Sequence, residues 1–586
     1  MREKGITLWV NGKRSNCFIA FIITLIASCI IFFIWRPIYY INDDWIIRDI
    51  LSGRYSGVPD AHIYNLIYPF SWGLMKLYQI FLHCDIWGGY LCGMMLVCFF
   101  LILWRTFELF PQYKLISTIC ISLIYVTVSL YGIIFFTFTI TGAMCGITAL
   151  FWIVTEQKTS KVSENIIPFI LLVLSFCTRK DTFLMCIPFI VVWWGVNVIK
   201  EKSWKYTYQI GFKILFLAIS IFLLYGIHIY NYKSDTEWKD FLEFRSLRKA
   251  VHDYDGYPSW DSSCDFYESI GISYEEYDVF KSGSVNTAFD FSQDIRTILS
   301  KVAEYNRQNK SVLSLKEQLK NGFLMALKRV FMEEELFKYL SIFMGITFVM
   351  LLIRYKNSYI AVAGGIEILV FFTELAYLGY KGRFTKVVIN MLVALLVYFI
   401  LALDMLLIRS KQQGRQVHIA ISEKGTRLSA IFITVSICCL LQLSNKSVMA
   451  INAAARDKEN NVIIREMIDE YCVTHSDSHF FEPAISISGA TYELKSLDKR
   501  FNNLIVLGGW NFSSPEYEQI MHEFGIKNSS EIEAAIINRD NIFIISNEYL
   551  IEVIKQYFKW KYGDILRCRI VDNIEYINVY SFTLDN

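Results

Sequence analysis

Two adjacent carboxylates stand in Tyr39-Tyr40-Ile41-Asn42-Asp43-Asp44-Trp45, directly after the first long apolar run of the chain. In such a pair, one of Asp43 and Asp44 is suited to act as general base on an acceptor hydroxyl while the other binds a cation or orients the acceptor. The plainer use of Asp44 is to cap a short helix beginning at Trp45. Downstream, Gly53-Arg54-Tyr55-Ser56-Gly57-Val58-Pro59-Asp60-Ala61-His62 has the glycines that let a loop fold tightly over a site, and it offers Asp60 and His62 to an acceptor. A helix cap and a structural histidine are the corresponding plain readings. Two basic clusters follow, Arg179-Lys180 and Lys381-Gly382-Arg383. Guanidinium groups bind phosphate oxygens bidentately through charge-assisted hydrogen bonds, so Arg179, Lys180, Lys381 and Arg383 suit a phosphate or diphosphate. Anchoring to anionic lipid, or pairing with Asp181 and Glu374, is the alternative.

What must position these residues is a membrane bundle. Of 586 residues, 54% are hydrophobic, 16% aromatic and only 19% charged, and mean hydropathy is +0.36. Soluble globular chains are more polar than this. A net charge of +2 excludes a broad basic surface for nucleic acid. The 14 cysteines include no CxxC pair and lie mostly in apolar runs, which fits neither a disulfide framework nor a zinc site.

A span needs about 20 apolar residues. Eleven stretches are expected to cross: 17–35, 86–107, 115–135, 138–155, 165–178, 183–199, 210–229, 336–353, 358–378, 387–408 and 428–443. The fifth is short, and with the sixth it could form one broken unit across Arg179–Asp181. Lys and Arg gather in the N-terminal segment and in alternate connections, which places the N-terminus in the cytoplasm and the C-terminus outside. Three pieces then lie outside: loops 36–85 and 230–335 of a membrane domain 1–443, and a domain 444–586. Within the first, 63–82 is apolar but interrupted by Pro69, Gly73 and Lys76, and it is expected to lie along the interface as an amphipathic helix. In the last, strands at 504–507, 542–546 and 574–582 alternate with helices at 515–524 and 547–559, the pattern of a small α/β domain. Basic residues at 178–182 and 380–384 break the inside-positive bias, and both fall at the outer boundary.

These residues resemble the membrane-embedded glycosyltransferases of the GT-C fold, on the acidic pair in the first outer loop, the interfacial stretch with Pro69 and Lys76, and the outer basic residues. The likeness spans the first 230 residues and the spans through Arg383. It implies a multi-pass protein of a bacterial cell membrane whose donor is a sugar on polyprenyl phosphate and whose acceptor is an envelope glycan or lipid. It further implies that Asp43 or Asp44 is the base and that Arg179, Lys180 and Arg383 hold the phosphate; Lys381 is expected beside them, and Asp60, His62 and Lys76 are expected on the acceptor or loop side. A divalent cation is compatible with the acidic pair, although two carboxylates are too few to demand one.

Two other functions use the same residue types. A flippase for a lipid-linked saccharide would hold the phosphate without chemistry, and it should show paired broken spans and mid-depth charge. An O-antigen-type polymerase or ligase would place its chemistry in 230–335. The absence of a repeat, and the gathering of charge at the outer boundary, favour the transferase. Glu333-Glu334-Glu335 reads as a neutralised helix start, Gly508-Gly509 as a turn, and His228 and His252 as structural.

Overall fold

The computed structural model describes residues 2–156, 162–282, 289–311, 315–333, 335–381, 385–413, 423–483, 491–497 and 503–584. Eight helices in it are long and apolar enough to cross a membrane: Arg14–Ile34, Ile86–Leu109, Lys180–Glu201, Trp204–Lys233, Lys338–Tyr355, Ser358–Tyr380, Lys386–Arg409 and Thr434–Thr474. Three shorter apolar helices, Lys114–Val128, Phe138–Val154 and Asn165–Thr178, occupy the remaining expected spans. The chain is thus a polytopic helical membrane protein.

Burial separates the helices by role. All residues of Phe138–Val154 are buried, as expected of a helix apolar on every side. It packs against Ile86–Leu109, Val162–Thr178, Lys180–Glu201 and Lys386–Gln413 at the centre of the bundle. Trp204–Lys233, by contrast, exposes Phe212, Phe216, Phe222 and Leu223; an apolar face of that extent is stable against lipid, not water.

The third expected span is shorter than its apolar run. Lys114–Val128 ends at Ser129, and a short helix Leu130–Ile134 leads into strand β2, Phe135–Phe136. The chain leaves the helix because β2 pairs in parallel with β1, Ile38–Tyr39, in the register Ile38 to Phe135 and Tyr39 to Phe136. The expected interfacial stretch is the helix Tyr68–Ile80, which buries Leu74, Met75 and Tyr78 and exposes Trp72, Leu77 and Ile80. Pro69 sits in its first turn, where no N–H is missed.

Towards the C-terminus, helix Glu423–Thr474 runs without interruption past residue 443 into a five-stranded sheet. Its strands are β3 His479–Pro483, β4 Leu504–Leu507, β5 Ile542–Ser546, β6 Leu566–Ile574 and β7 Ile577–Leu584, in the order β4-β3-β5-β7-β6. β3 is parallel to β4 and β5, while β7 is antiparallel to β5 and β6. The expected strand 574–582 is in fact two strands. They turn at Glu575, which adopts φ +57° without a glycine to announce it.

Buried ion pairs tie this sheet to the first loop. Arg465 donates to both oxygens of Glu482 at 2.8 Å, with each side chain 1% exposed. Asp469 accepts from Tyr492 at 2.9 Å and lies 3.6 Å from Arg54, while Arg48 donates to Asp49 at 2.8 Å and stacks on Tyr492. Arg48 and Asp49 belong to helix Asn42–Ser52, whose first turn contains the acidic pair.

Candidate functional site

The β1–β2 pairing decides where the acidic pair goes. Because Tyr39 lies beside Phe136, helix Asn42–Ser52 starts beside the first turn of Phe138–Val154. Asp44 is fully buried there, and its Oδ1 accepts from the Phe138 N–H at 2.9 Å. It therefore caps a helix, but a helix almost a hundred residues downstream and not its own: helix Asn42–Ser52 has Ile41 at its N-cap, with no side-chain bond. Burial pushes the Asp44 carboxyl up to about 8, and the Phe138 N–H offsets only part of that. Asp44 is then protonated at neutral pH and poorly suited to accept a proton.

Asp43, unlike Asp44, is partly exposed. Burial raises its carboxyl above the ordinary range, opposed by the Arg245, Arg179 and Arg248 guanidinium groups and reinforced by Asp253. The cations arrive from two places in the chain. Arg179 is the single extended residue between helices Val162–Thr178 and Lys180–Glu201, at φ −160° and ψ 107°. Its guanidinium lies 4.6 Å from the centre of the Phe138 ring. The approach requires Gly142, since a Cβ there would sit 2.8 Å from Thr182 Oγ1 and 3.4 Å from Arg179 Cβ.

Arg245 and Arg248 come from helix Thr236–Lys249. Arg245 donates to Trp510 O at 2.6 Å and Asn65 Oδ1 at 3.3 Å, and it stacks 3.9 Å over Tyr64. Lys180 lies 5.9 Å from the same Tyr64 ring. Burial lowers both guanidinium groups, and Asp253 and Asp43 compensate only partly; for Arg245, Tyr64 also raises and Arg248 further lowers the value. Among the described residues, the buried Nε atoms of Arg245 and Arg248 have no hydrogen-bond partner. A desolvated cation with unused donors is costly, and an anionic ligand relieves that cost.

The other sequence-selected residues divide. Gly53, at φ +82°, ends helix Asn42–Ser52 and folds the loop back, and Asp60 N–H then bonds Ile50 O at 3.1 Å. Burial raises the Asp60 carboxyl, but the His62 ring at 2.7 Å and the His62 N–H outweigh it and hold it below the usual range. His62 stacks on Trp238, seven residues before Arg245 on the same helix, about 10 Å along the axis. Lys76 is not drawn in: it is exposed, bonded to Gln79 and near Trp72. Lys381 lies 5.8 Å from the centres of the Tyr377 and Tyr380 rings. Arg383 lies outside the described residues. Among those residues no group of three or more His, Cys, Asp or Glu side chains is placed to hold a metal ion.

Charge is less confined to the boundary than expected. Glu367 and Asp404 are buried within spans, and among the described residues neither Glu367 carboxylate oxygen has a hydrogen-bond partner. Sequence reading also missed Arg245 and Arg248, whose helix of mixed charge looks like an ordinary solvated surface.

Asp44 carries a pH signature. With its folded value near 8, above that of an unfolded carboxylate, the folded chain retains a proton that the unfolded chain releases, so raising pH across that interval destabilises the fold. Asp44→Asn should abolish this dependence. Relative to wild type, its thermal midpoint in detergent should rise between pH 5 and 8 and then level off.

No family model and no curated protein matches the chain. Two solved structures are similar over almost its whole length, both of ArnT from Cupriavidus metallidurans. The apo state is 9% identical at TM-score 0.40, covering 98% of each chain. The form bound to undecaprenyl phosphate is 9% identical at TM-score 0.39, covering 96% of this chain and 97% of that one. A likeness of this size carries no argument about activity.

Proposed function

We propose that the chain is a glycosyltransferase of the GT-C type, moving a sugar from polyprenyl phosphate to a cell-envelope acceptor on the outer face of the membrane. The observation that carries this reading is the meeting of one partly exposed carboxylate, Asp43, with three guanidinium groups, Arg179 from one inter-helix junction and Arg245 and Arg248 from one helix, the latter two keeping unused buried donors among the described residues. Asp43 takes the proton of the acceptor hydroxyl as its oxygen attacks the anomeric carbon. The bond from that carbon to the phosphate oxygen breaks, and the negative charge passes to polyprenyl phosphate. Arg179, Arg245 and Arg248 stabilise that charge where water is scarce. A single direct displacement inverts the anomeric centre. The junctions at 38–44, 135–138 and 178–180 come together at one end of the bundle, which supports the expected alternation of spans and an outward-facing site.

The test is binding of polyprenyl phosphate to purified protein. A hydrogen bond to a charged group contributes about 1.5–3 kcal/mol, so Arg248→Ala should weaken binding roughly 10- to 100-fold. Arg245→Lys, which keeps charge but loses the fork, should also weaken it. Unchanged affinity in both variants overturns the phosphate assignment.

A further inference from the structure

Beyond the Asp43 group, a cleft of about 600 Å³ opens between helices Thr236–Lys249, Ile295–Ser311 and Leu315–Lys328 and the end of Ser358–Tyr380. Its polar lining is Asp255, Ser300, Glu304, Arg307, Gln318 and Tyr380. Ser300, Glu304 and Arg307 follow one another at helical spacing and so form one wall. The opposite wall is set by a backbone contact: Gly322 and Gly379 touch so closely that a Cβ on either would collide with the other. Asn306 fixes the third side by donating to Gly256 O at 2.9 Å.

The chemistry of this lining is that of a site for a neutral polyhydroxylated ligand. Two carboxylates against one guanidinium leave little net charge, unlike the cationic group around Asp43. Carboxylate, amide, hydroxyl and phenol together accept from and donate to ring hydroxyls, and the volume lies within the usual range for small-ligand sites. The cleft lies behind the segment that carries two of the Asp43 cations. Leu247 and Ala250 line it, while Arg245 and Arg248, on the opposite face of the same segment, point to Asp43. The separation is about one helix diameter, roughly 10 Å, and the segment ends at Gly256, just past Asp253 and Asp255.

We infer that this cleft binds the saccharide portion of the acceptor and presents its terminal hydroxyl round Asp253 to Asp43. The inference rests on the transferase reading. Its test is saturation-transfer NMR on the full-length protein in nanodiscs, with oligosaccharides released by mild acid from the envelope of cells that make it. Wild type should show transfer to the sugar protons. Glu304→Ala combined with Gln318→Ala should lose at least 10-fold of that affinity while binding polyprenyl phosphate as wild type does, which confirms the fold is intact. Asp43→Asn should keep saccharide binding. Equal saccharide signals in wild type and the cleft variant, or none in wild type, overturn the inference. Wild type that binds saccharide in the cleft but moves no sugar from a polyprenyl-phosphate donor overturns the transferase reading instead.

Discussion

Asp43→Asn should lower sugar transfer by about 10³-fold, within the range that general-base catalysis contributes, while leaving polyprenyl-phosphate affinity within a few-fold of wild type. The amide keeps the size and hydrogen-bonding reach of the carboxylate but cannot take a proton. Asp44→Asn should cost far less, because the buried Asp44 is already protonated and its acceptor bond to Phe138 N–H survives in the amide. The pH profile separates the two further. Burial places the Asp43 carboxyl above the ordinary range, so activity should fall on acidification through a limb higher than that of a free carboxylate, and no such limb should remain in the residual rate of Asp43→Asn. Transfer rates from a labelled donor across pH 4–8 measure both effects.

Glu482→Ala should produce the largest loss of stability. It takes the bidentate partner from the Arg465 guanidinium, 1% exposed, and leaves only the weaker influence of Asp469; breaking one half of a buried pair costs about 3–5 kcal/mol. Amide protection of β3, β4 and β5 should therefore drop by roughly two to four orders of magnitude in hydrogen exchange. Replacing both partners by apolar residues of similar volume, Arg465→Met with Glu482→Leu, should recover most of the loss. Transfer should also fall in Glu482→Ala, because the network runs through Asp469 and Arg54 to Asp49 on the helix that positions Asp43. Preserved protection in the single variant would show that the sheet does not depend on this pair.

Much of the membrane architecture was legible because hydrocarbon enforces it: long apolar runs have few alternatives to helices. The turns at Gly53 and Gly57 were legible for a similar reason, both adopting positive φ. What escaped was set by tertiary pairing. Asp44 has the local pattern of a cap for the helix that follows it, yet a two-residue strand pair delivers it to Phe138. Arg245 and Arg248 stand about 200 residues from Asp43, and no spacing rule connects them. Lys76 fits the interfacial helix, but its face of that helix turns outward. The β6–β7 turn lacks glycine, and Glu367 is hidden in a run whose average is strongly apolar.

Glu367, without a hydrogen-bond partner among the described residues, gives the flippase reading one feature it requires, an ionisable side chain buried within a span. The two functions part at the phosphate. A transferase cleaves the bond between sugar and phosphate, whereas a flippase carries the intact molecule across. The decisive measurement is therefore the fate of a doubly labelled polyprenyl-phosphate sugar given with envelope acceptor to proteoliposomes of the purified chain. Free polyprenyl phosphate should appear in equal amount with glycosylated acceptor, and both should form about 10³-fold more slowly with Asp43→Asn. Intact donor moved between leaflets, with no cleavage in wild type, would contradict the account.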